Sequence, residues 1–385
     1  MYGSLSNPLY MIEIKQIEPT KSNLKKFTQF QIDLYEGNPY FVPPLISDDL
    51  GTLSPTKNPA FDFCEAVYYM AYKDGKPVGR IAGIINRQVN EKNSGATARF
   101  GFVDFIDDEE VSKALIEAVE NWARSKGMKK IIGPMGFTDM DHEGMLIQGF
   151  EELGTMATIY NYDYYPRHIE KLGYEKEADW VEFLMDVPDK IPEKYDRIAN
   201  IVKQKYGLRV KKYKSPKKAK QEIGRPLFHL INEAYDSLYE YSRLTEKQID
   251  YYIGIYLSLI NFDLLSAIVD KDDNLVGIGI SMPSLSRALQ KSKGKLLPFG
   301  WYHLLRALKC KTDRVDLLLV AVKPEYLNKG VNALLFQDLI PYYIKYGFKY
   351  AESNLELETN NKVQGQWDYF SNRQHRRRRA YRKLL

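Results

Sequence analysis

Cysteine is nearly missing from this chain. Cys64 and Cys310 are the only two among 385 residues, which excludes a disulfide framework and suits a reducing compartment such as the cytoplasm. Long hydrophobic runs are missing too. The longest uncharged apolar stretch, Tyr251–Phe262, is closed off by Asp250 and Asp263 and falls well short of the roughly 18 residues that a membrane-spanning helix needs. The amino terminus, MYGSLSNPLYMIEIK, has no basic segment leading into an apolar one with a small-residue cleavage site. The sequence therefore predicts no signal peptide, and Met11 offers an alternative start.

What is present describes a folded globular protein. Hydrophobic residues make up 44% and charged residues 27%, a balance that buries a core instead of staying disordered. The length predicts two domains. The net charge of +5 is unevenly placed, because residues 371–385 (SNRQHRRRRAYRKLL) hold seven basic side chains and no acid, leaving the rest of the chain at −2. Nucleic-acid binding is thus not expected of the body, and any case for it rests on that tail.

In chain order, alternation over Met11–Ile17 predicts a strand, and apolar spacing over Ser22–Tyr35 predicts a helix. Asn38–Pro59 reads as a long, mostly irregular loop. Ala66–Tyr72 and Pro77–Asn86, joined by a turn centred on Asp74-Gly75, read as a hairpin. A strand at Arg99–Phe105, a helix at Glu109–Lys126 and a strand at Lys129–Gly133 follow. Pro134–Tyr165 is glycine-rich, acidic and aromatic; then come a helix at Arg167–Leu172 and a strand at Trp180–Val187. Pro188–Pro192 reads as a linker, which divides the chain into a tail (1–10), a first domain (11–190) and a second (191–385).

After the linker the order of elements partly repeats. A helix at Glu193–Tyr206, a strand at Leu208–Tyr213 and helices at Pro226–Leu238 and Glu246–Ile260 lead to a second hairpin over Asp263–Met282 and a helix at Leu296–Lys309. Val315–Val322 is an apolar run of strand length. Lys323–Gly330 then forms a polar connection to a helix running to Leu339, with Pro324 ending the strand and Gly330 free to take positive φ. Such a strand, turn and helix start can hold a phosphate, since the first helical N–H groups have no partner within the helix. A strand at Phe348–Leu357, a helix at Asn361–Phe370 and a strand at His375–Leu384 complete the chain.

Three local motifs carry a resemblance to a known family. VAVKPEYLNKGVNALL at Val320–Leu335 is similar to V-x-P-x-x-[QR]-x-x-G-x-[GA]-x-x-L, HIEKLGY at His168–Tyr174 is close to Y-E-K-L-G-F, and the first hairpin ends in Val78-Gly79-Arg80-Ile81. With the repeated element order, the chain resembles the GNAT superfamily of acyl-CoA N-acyltransferases written twice. The resemblance implies an α+β fold of two GNAT-like domains, each a mixed, mostly antiparallel sheet flanked by helices. It implies an acyl-CoA co-substrate, acetyl-CoA or another, held in the second domain by Val320, Val322, Leu327, Asn328, Lys329, Gly330, Val331 and Asn332. Leu327 stands where the family usually has Gln or Arg, and Asn332 where it has Gly or Ala. The corresponding connection of the first domain, Asp107–Glu110, has four successive acids and no glycine, so that domain is expected to have lost cofactor binding.

The implied chemistry is attack of an amine on a thioester, with a base to take its proton and often a Tyr to protonate the leaving thiolate. Glu356 and Glu358 are the candidate bases. Trp367 falls on the Tyr position, with Tyr369 near it. Asp139, Asp141, His142 and Glu143 are too closely spaced for a helical metal pair and lack a second His, so no metal is expected. They read as a polar loop or a substrate-contacting segment, with Asp141 and His142 as candidates. Tyr160, Tyr162, Tyr164 and Tyr165 either line a substrate cleft or pack between the halves. His229 and His303 lie on helical patterns and read as structural. The Arg376–Arg379 run reads either as a solvated edge strand or as a partner for phosphates of CoA, a carrier protein or RNA. Three functions follow: an acyl-CoA-dependent acyltransferase acting on a small-molecule amine, an aminoacyltransferase like the Fem-type enzymes that use charged tRNA, or an inactive GNAT-fold binding protein.

Overall fold

The computed structural model describes residues 12–213, 215–257 and 259–385; the expected tail and Met11 lie outside them. The described residues contain no helix long and apolar enough to cross a membrane. The chain divides into two compact units. Unit 1 holds the described residues up to Phe150, with Ile159–Ala178 and Arg378–Leu385, and unit 2 holds Glu151–Thr158 and Asp179–Arg377.

Unit 1 begins with β1 (Glu13–Gln16), α1 (Lys21–Leu34) and α2 (Ile46–Thr52), followed by the hairpin β2 (Cys64–Lys73) and β3 (Lys76–Asn86). Next come α3 (Arg87–Lys92), β4 (Thr97–Phe105), α4 (Glu109–Ser125), β5 (Lys130–Gly133), β6 (Met145–Gln148) and α5 (Tyr164–Lys171). β7 (Glu175–Asp186) starts in unit 1 and ends in unit 2. α4 buries Val111, Leu115 and Val119 on the sheet. Asn38–Pro59 is mostly irregular as expected, with the short helix α2 inside it, where Asp48 and Asp49 in the first turn suit the positive end of a helix dipole.

Unit 2 continues with α6 (Glu193–Tyr206), β8 (Arg209–Lys211), α7 (Pro216–Tyr235), α8 (Glu246–Tyr256) and the hairpin β9 (Leu265–Val269) and β10 (Leu275–Pro283). α9 (Ser286–Ser292), α10 (Gly300–Leu308), β11 (Arg314–Val322), α11 (Val331–Tyr346), β12 (Tyr350–Ser353), β13 (Glu356–Leu357), α12 (Asn361–Gln364) and β14 (Asn372–Leu384) complete the order. Pro226 does not start a helix as expected but lies inside α7. That helix starts ten residues earlier, where Ser215 caps it and Pro216 occupies the first turn, both good start signals.

In unit 1 the strand order is β1-β2-β3-β4-β5-β14, antiparallel except for the parallel β4/β5 pair. In unit 2 the order is β7-β12-β11-β10-β9-β8, antiparallel except for the parallel β11/β12 pair, with β13 also on β7. Each unit therefore presents a mixed, mainly antiparallel sheet flanked by helices. β14 is paired in each unit separately. Its end, Tyr381–Leu384, pairs with β5 in unit 1, and in unit 2 its start lies beside β7, where the Asp186 N–H donates to the Ser371 carbonyl at 2.9 Å.

Candidate functional site

The parallel pairing of β11 with β12 runs from Arg314/Tyr350 to Leu317/Ser353 and stops. Beyond it the two strands part, and β13 pairs with β7 instead. On its other side β11 bulges, since Ser281 faces Leu317 while Ile280 faces Leu319. Carbonyls left without a strand partner find side chains: Leu318 accepts from Asn354 Nδ2 at 3.1 Å, and Val320 from the Tyr235 hydroxyl at 2.7 Å. The Val320 side chain is 44% exposed and Val322 is buried.

The connection that follows is a short 3-10 turn at Pro324–Tyr326, an exposed Leu327, and two left-handed residues, Asn328 (φ 63°) and Gly330 (φ 77°). A Cβ on Gly330 would stand 2.8 Å from Ile198 Cγ2 on α6, so both conformation and space call for glycine there. Gly330 leads directly into α11, whose start has no side-chain cap and no acid in its first turn. The opening amides of that helix are thus free to meet an anion. Lys329 lies 4.9 Å from the Tyr326 ring centroid and 5.3 Å from that of Tyr206. Val331 is buried, and Asn332 keeps a buried Oδ1 with no hydrogen-bond partner.

Unit 1 has the same parting, β4 leaving β5 after Arg99/Ile132, but there it is filled. The Met135 N–H donates to the Phe100 carbonyl at 2.8 Å, and Met135 O lies 2.2 Å from where a Gly101 Cβ would be. Arg99 donates to the carbonyls of Gly136 and Phe137. The start of α4 is capped by the Asp108 carboxylate, which accepts from the Glu110 N–H at 3.0 Å and pairs with Lys73 at 2.7 Å. An acid already occupies the place where an anion would bind.

Glu356, on β13, is buried, and one carboxylate oxygen accepts from the Trp367 indole N–H at 2.9 Å while the other has no partner. Burial raises its pKa to about 7, and the indole hydrogen bond offsets only part of that rise. A carboxylate that gains and loses its proton near neutral pH suits a general base. Glu358 is instead paired with Arg377. Tyr369 is half-exposed, with the Lys194 ammonium 3.8 Å from its ring centroid.

A buried ionic network, unforeseen from the sequence, lies in the same unit. Asp316 and Glu352 are neighbours in the β11/β12 register. Glu352 accepts from His375 Nε2 at 3.0 Å, from Arg314 Nη1 at 2.8 Å and from Arg376. Arg376 also reaches Glu182 at 2.6 Å, and His375 Nδ1 lies 3.0 Å from the Glu182 carbonyl. Burial pushes the Glu352 carboxyl up, but Arg376, His375 and Arg314 outweigh it and hold the group low. Asp316 goes the other way, raised by burial and by the charge of Glu352, and its Oδ1 has no partner. An acid inside the apolar Val315–Val322 run was the one sequence signal of this network. Glu182, Glu352 and His375 bring ligand atoms within 4.8 Å of one another, but the Arg376 guanidinium takes the place a cation would fill.

The arginine run is neither a solvated edge nor a free phosphate arm. Arg376 and Arg378 are each 1% exposed. Arg377 pairs with Asp179 at 2.6 Å and Arg379 lies 3.9 Å from Glu170, while Arg373, Arg382 and Lys383 meet Glu152, Glu175 and Glu120. Arg376 is thus desolvated against acids from elsewhere in the chain, while Arg377 and Arg379 stay partly exposed beside theirs.

The proposed substrate contacts lie in unit 1. Tyr160 is buried, its hydroxyl donating to the Phe150 carbonyl and accepting from Asn38 Nδ2, both at 3.1 Å. Tyr162 stacks on Tyr164, with ring centroids 5.6 Å apart. Tyr165 is part of a buried set in which Arg80 donates to Asp104 at 2.8 Å and the Tyr35 hydroxyl meets both Asp104 and Tyr165. Asp141 accepts from the N–H groups of Phe137 and Thr138, a turn-holding role, with burial raising its pKa to about 6. His142 beside it is half-buried. Neither His229, 3.5 Å from Glu246, nor His303 on α10 joins Glu356 or the turn in any described contact.

No protein-family model matches the chain. Among curated proteins it is similar to Protein YghO of Escherichia coli (strain K12), 28% identical over 373 residues that cover 95% of this chain and 94% of that one. It is also similar to the bacterial ceramide synthase of Caulobacter vibrioides, 27% identical over 336 residues covering 86% and 85%. Among solved structures, a tandem GNAT protein from the clavulanic acid biosynthesis pathway superposes with a TM-score of 0.57 over 97% of this chain and 98% of that one, at 11% identity. With the parted parallel strands and the glycine-led helix of unit 2, that superposition identifies the fold of this chain as that of the GNAT superfamily.

Proposed function

We propose that the chain is an acyltransferase in which both units are GNAT-like domains and unit 2 carries the chemistry. An acyl-CoA would lie where β11 and β12 part, its pyrophosphate on the amides of Gly330, Val331 and Asn332 and its thioester toward β13. Glu356 would take the proton of the attacking amine as nitrogen bonds to the thioester carbon; the carbon–sulfur bond then breaks and the thiolate leaves to be protonated. The observation that carries this reading is the coincidence of an open, uncapped α11 start with a buried carboxyl of pKa about 7. Unit 1, its gap filled and its helix start capped by Asp108, is assigned no cofactor. The name of the Caulobacter relative supports an amide product, since a ceramide is an N-acyl amide. The aminoacyl-tRNA reading loses its support because the C-terminal arginines are engaged in ion pairs.

The test is calorimetry with acetyl-CoA and with long-chain acyl-CoAs, paired with detection of free CoA thiol across a panel of amines. Binding, with thiol release that rises through about pH 7 and falls at least about 100-fold in Glu356→Gln, is the expected result. Absence of binding by every acyl-CoA would sink the proposal, while binding without thiol release would favour a ligand-binding protein.

A further inference from the structure

Unit 2 has a surface that the acyl-transfer reading does not use. From Asn274 to Thr312 the sequence contains no acid, and seven basic residues fall between Arg287 and Lys311, all of them exposed. Within this cationic frame lies a cluster of exposed apolar side chains: Leu296, Leu297, Phe299, Trp301, Tyr302 and Leu305, with Leu297 77% and Phe299 71% exposed. Helix α10 shows why they face outward. Leu304 and Ala307 form its buried side, and at 100° per residue Trp301, Leu305 and Tyr302 fall on the opposite arc, beside Lys309 and Arg306. The exposed Leu296–Phe299 segment precedes them as an apolar corner.

Six exposed apolar side chains within the ten residues Leu296–Leu305 point to a contact surface. A two-fold contact with a second copy would set seven cations against the same seven. An anionic bilayer meets both requirements, taking apolar side chains below its headgroups and lysines and arginines at its phosphates. Trp and Tyr at the boundary favour the same placement. α10 has nine residues, a length of about 14 Å, so it would lie along the surface and not cross it. We propose that the Leu296–Leu305 surface docks unit 2 on an anionic lipid bilayer, with Leu297, Phe299 and Trp301 inserted and the surrounding Lys and Arg side chains on lipid phosphates.

Flotation of the full chain with vesicles tests this. The protein should float with phosphatidylcholine vesicles containing phosphatidylglycerol, far less with phosphatidylcholine alone, and less as salt is raised. The double substitution Leu297→Glu, Phe299→Glu should weaken binding by about tenfold or more with no change in melting temperature, because both side chains are exposed. Lys295→Gln should weaken it about fivefold. Brominated lipid should quench tryptophan fluorescence, and Trp301→Phe should remove that response. Failure to float with anionic vesicles overturns the proposal, as does flotation of the double variant equal to the native chain. So does a concentration-dependent dimer that the double variant abolishes, which would make a second copy the occupant. Vesicle binding and acyl-CoA binding are read separately, so either result can fail alone.

Discussion

At the residue scale, Glu356 couples stability to the proposed chemistry. Its carboxyl titrates at about 7 when folded and near 4.3 in an unfolded chain. Between those values the unfolded state is ionised while the folded state still holds its proton. Stability therefore falls as pH rises through that window and is level above it. Glu356→Gln removes this penalty and keeps an oxygen for the Trp367 N–H. The variant should be more stable than the native chain by about 1–3 kcal/mol at pH 8 and no more stable at pH 4, as measured by urea unfolding at both values. Equal stability of the two chains at pH 8 would show that folding does not raise the carboxyl's pKa. The sequence offered Glu356 and Glu358 as equals, two acids alternating on a strand. Only packing separated them, placing one against an indole and the other against Arg377.

At the element scale, the turn before α11 owes its shape to one glycine. Gly330→Ala meets both a positive φ and Ile198 Cγ2 at 2.8 Å, so it should cost about 1–3 kcal/mol and weaken acyl-CoA binding at least about tenfold by shifting the amides. Gly347 at the other end of α11 supplies the control, since its φ is 74° with nothing within 4 Å of the added carbon. Gly347→Ala should lose about 1 kcal/mol and leave the Kd for acyl-CoA unchanged. Calorimetry on both variants separates helix strain from site geometry. If Gly330→Ala binds acyl-CoA as the native chain does, this turn is not the phosphate site. Strand, turn and helix were all legible here, because period, proline and glycine are local signals. Where β11 leaves β12 was not, because strand parting depends on a neighbour 36 residues away, Asn354 bonding to Leu318.

At the scale of the whole molecule, the last strand serves both units. Its end lies in unit 1, where Ala380 and Tyr381 are buried and the Tyr381 hydroxyl donates to Glu170 at 2.8 Å. Deleting Arg378–Leu385 would expose the β5 edge, leave Glu170 and Glu175 without Arg379 and Arg382, and leave Glu120 with Arg124 alone. Loss of cooperative unfolding in unit 1, with rapid hydrogen exchange at β5 while β9 and β10 stay protected, is the expected outcome. Uniform protection in the truncated chain would show that β14 is dispensable to unit 1.

The sequence by itself determined the local elements and the superfamily resemblance. Hairpin turns, helix periods and the Val320–Leu335 motif are written over a few residues, where backbone preference and side-chain spacing are enough. Tertiary structure alone decided which charges are buried. Seven basic residues in fifteen read as a solvated or phosphate-seeking tail, yet long-range strand pairing threads them between acids such as Glu182, Glu352 and Asp179. The partners lie far apart along the chain, and only a fold that brings them within hydrogen-bonding distance can offset the cost of desolvating each charge.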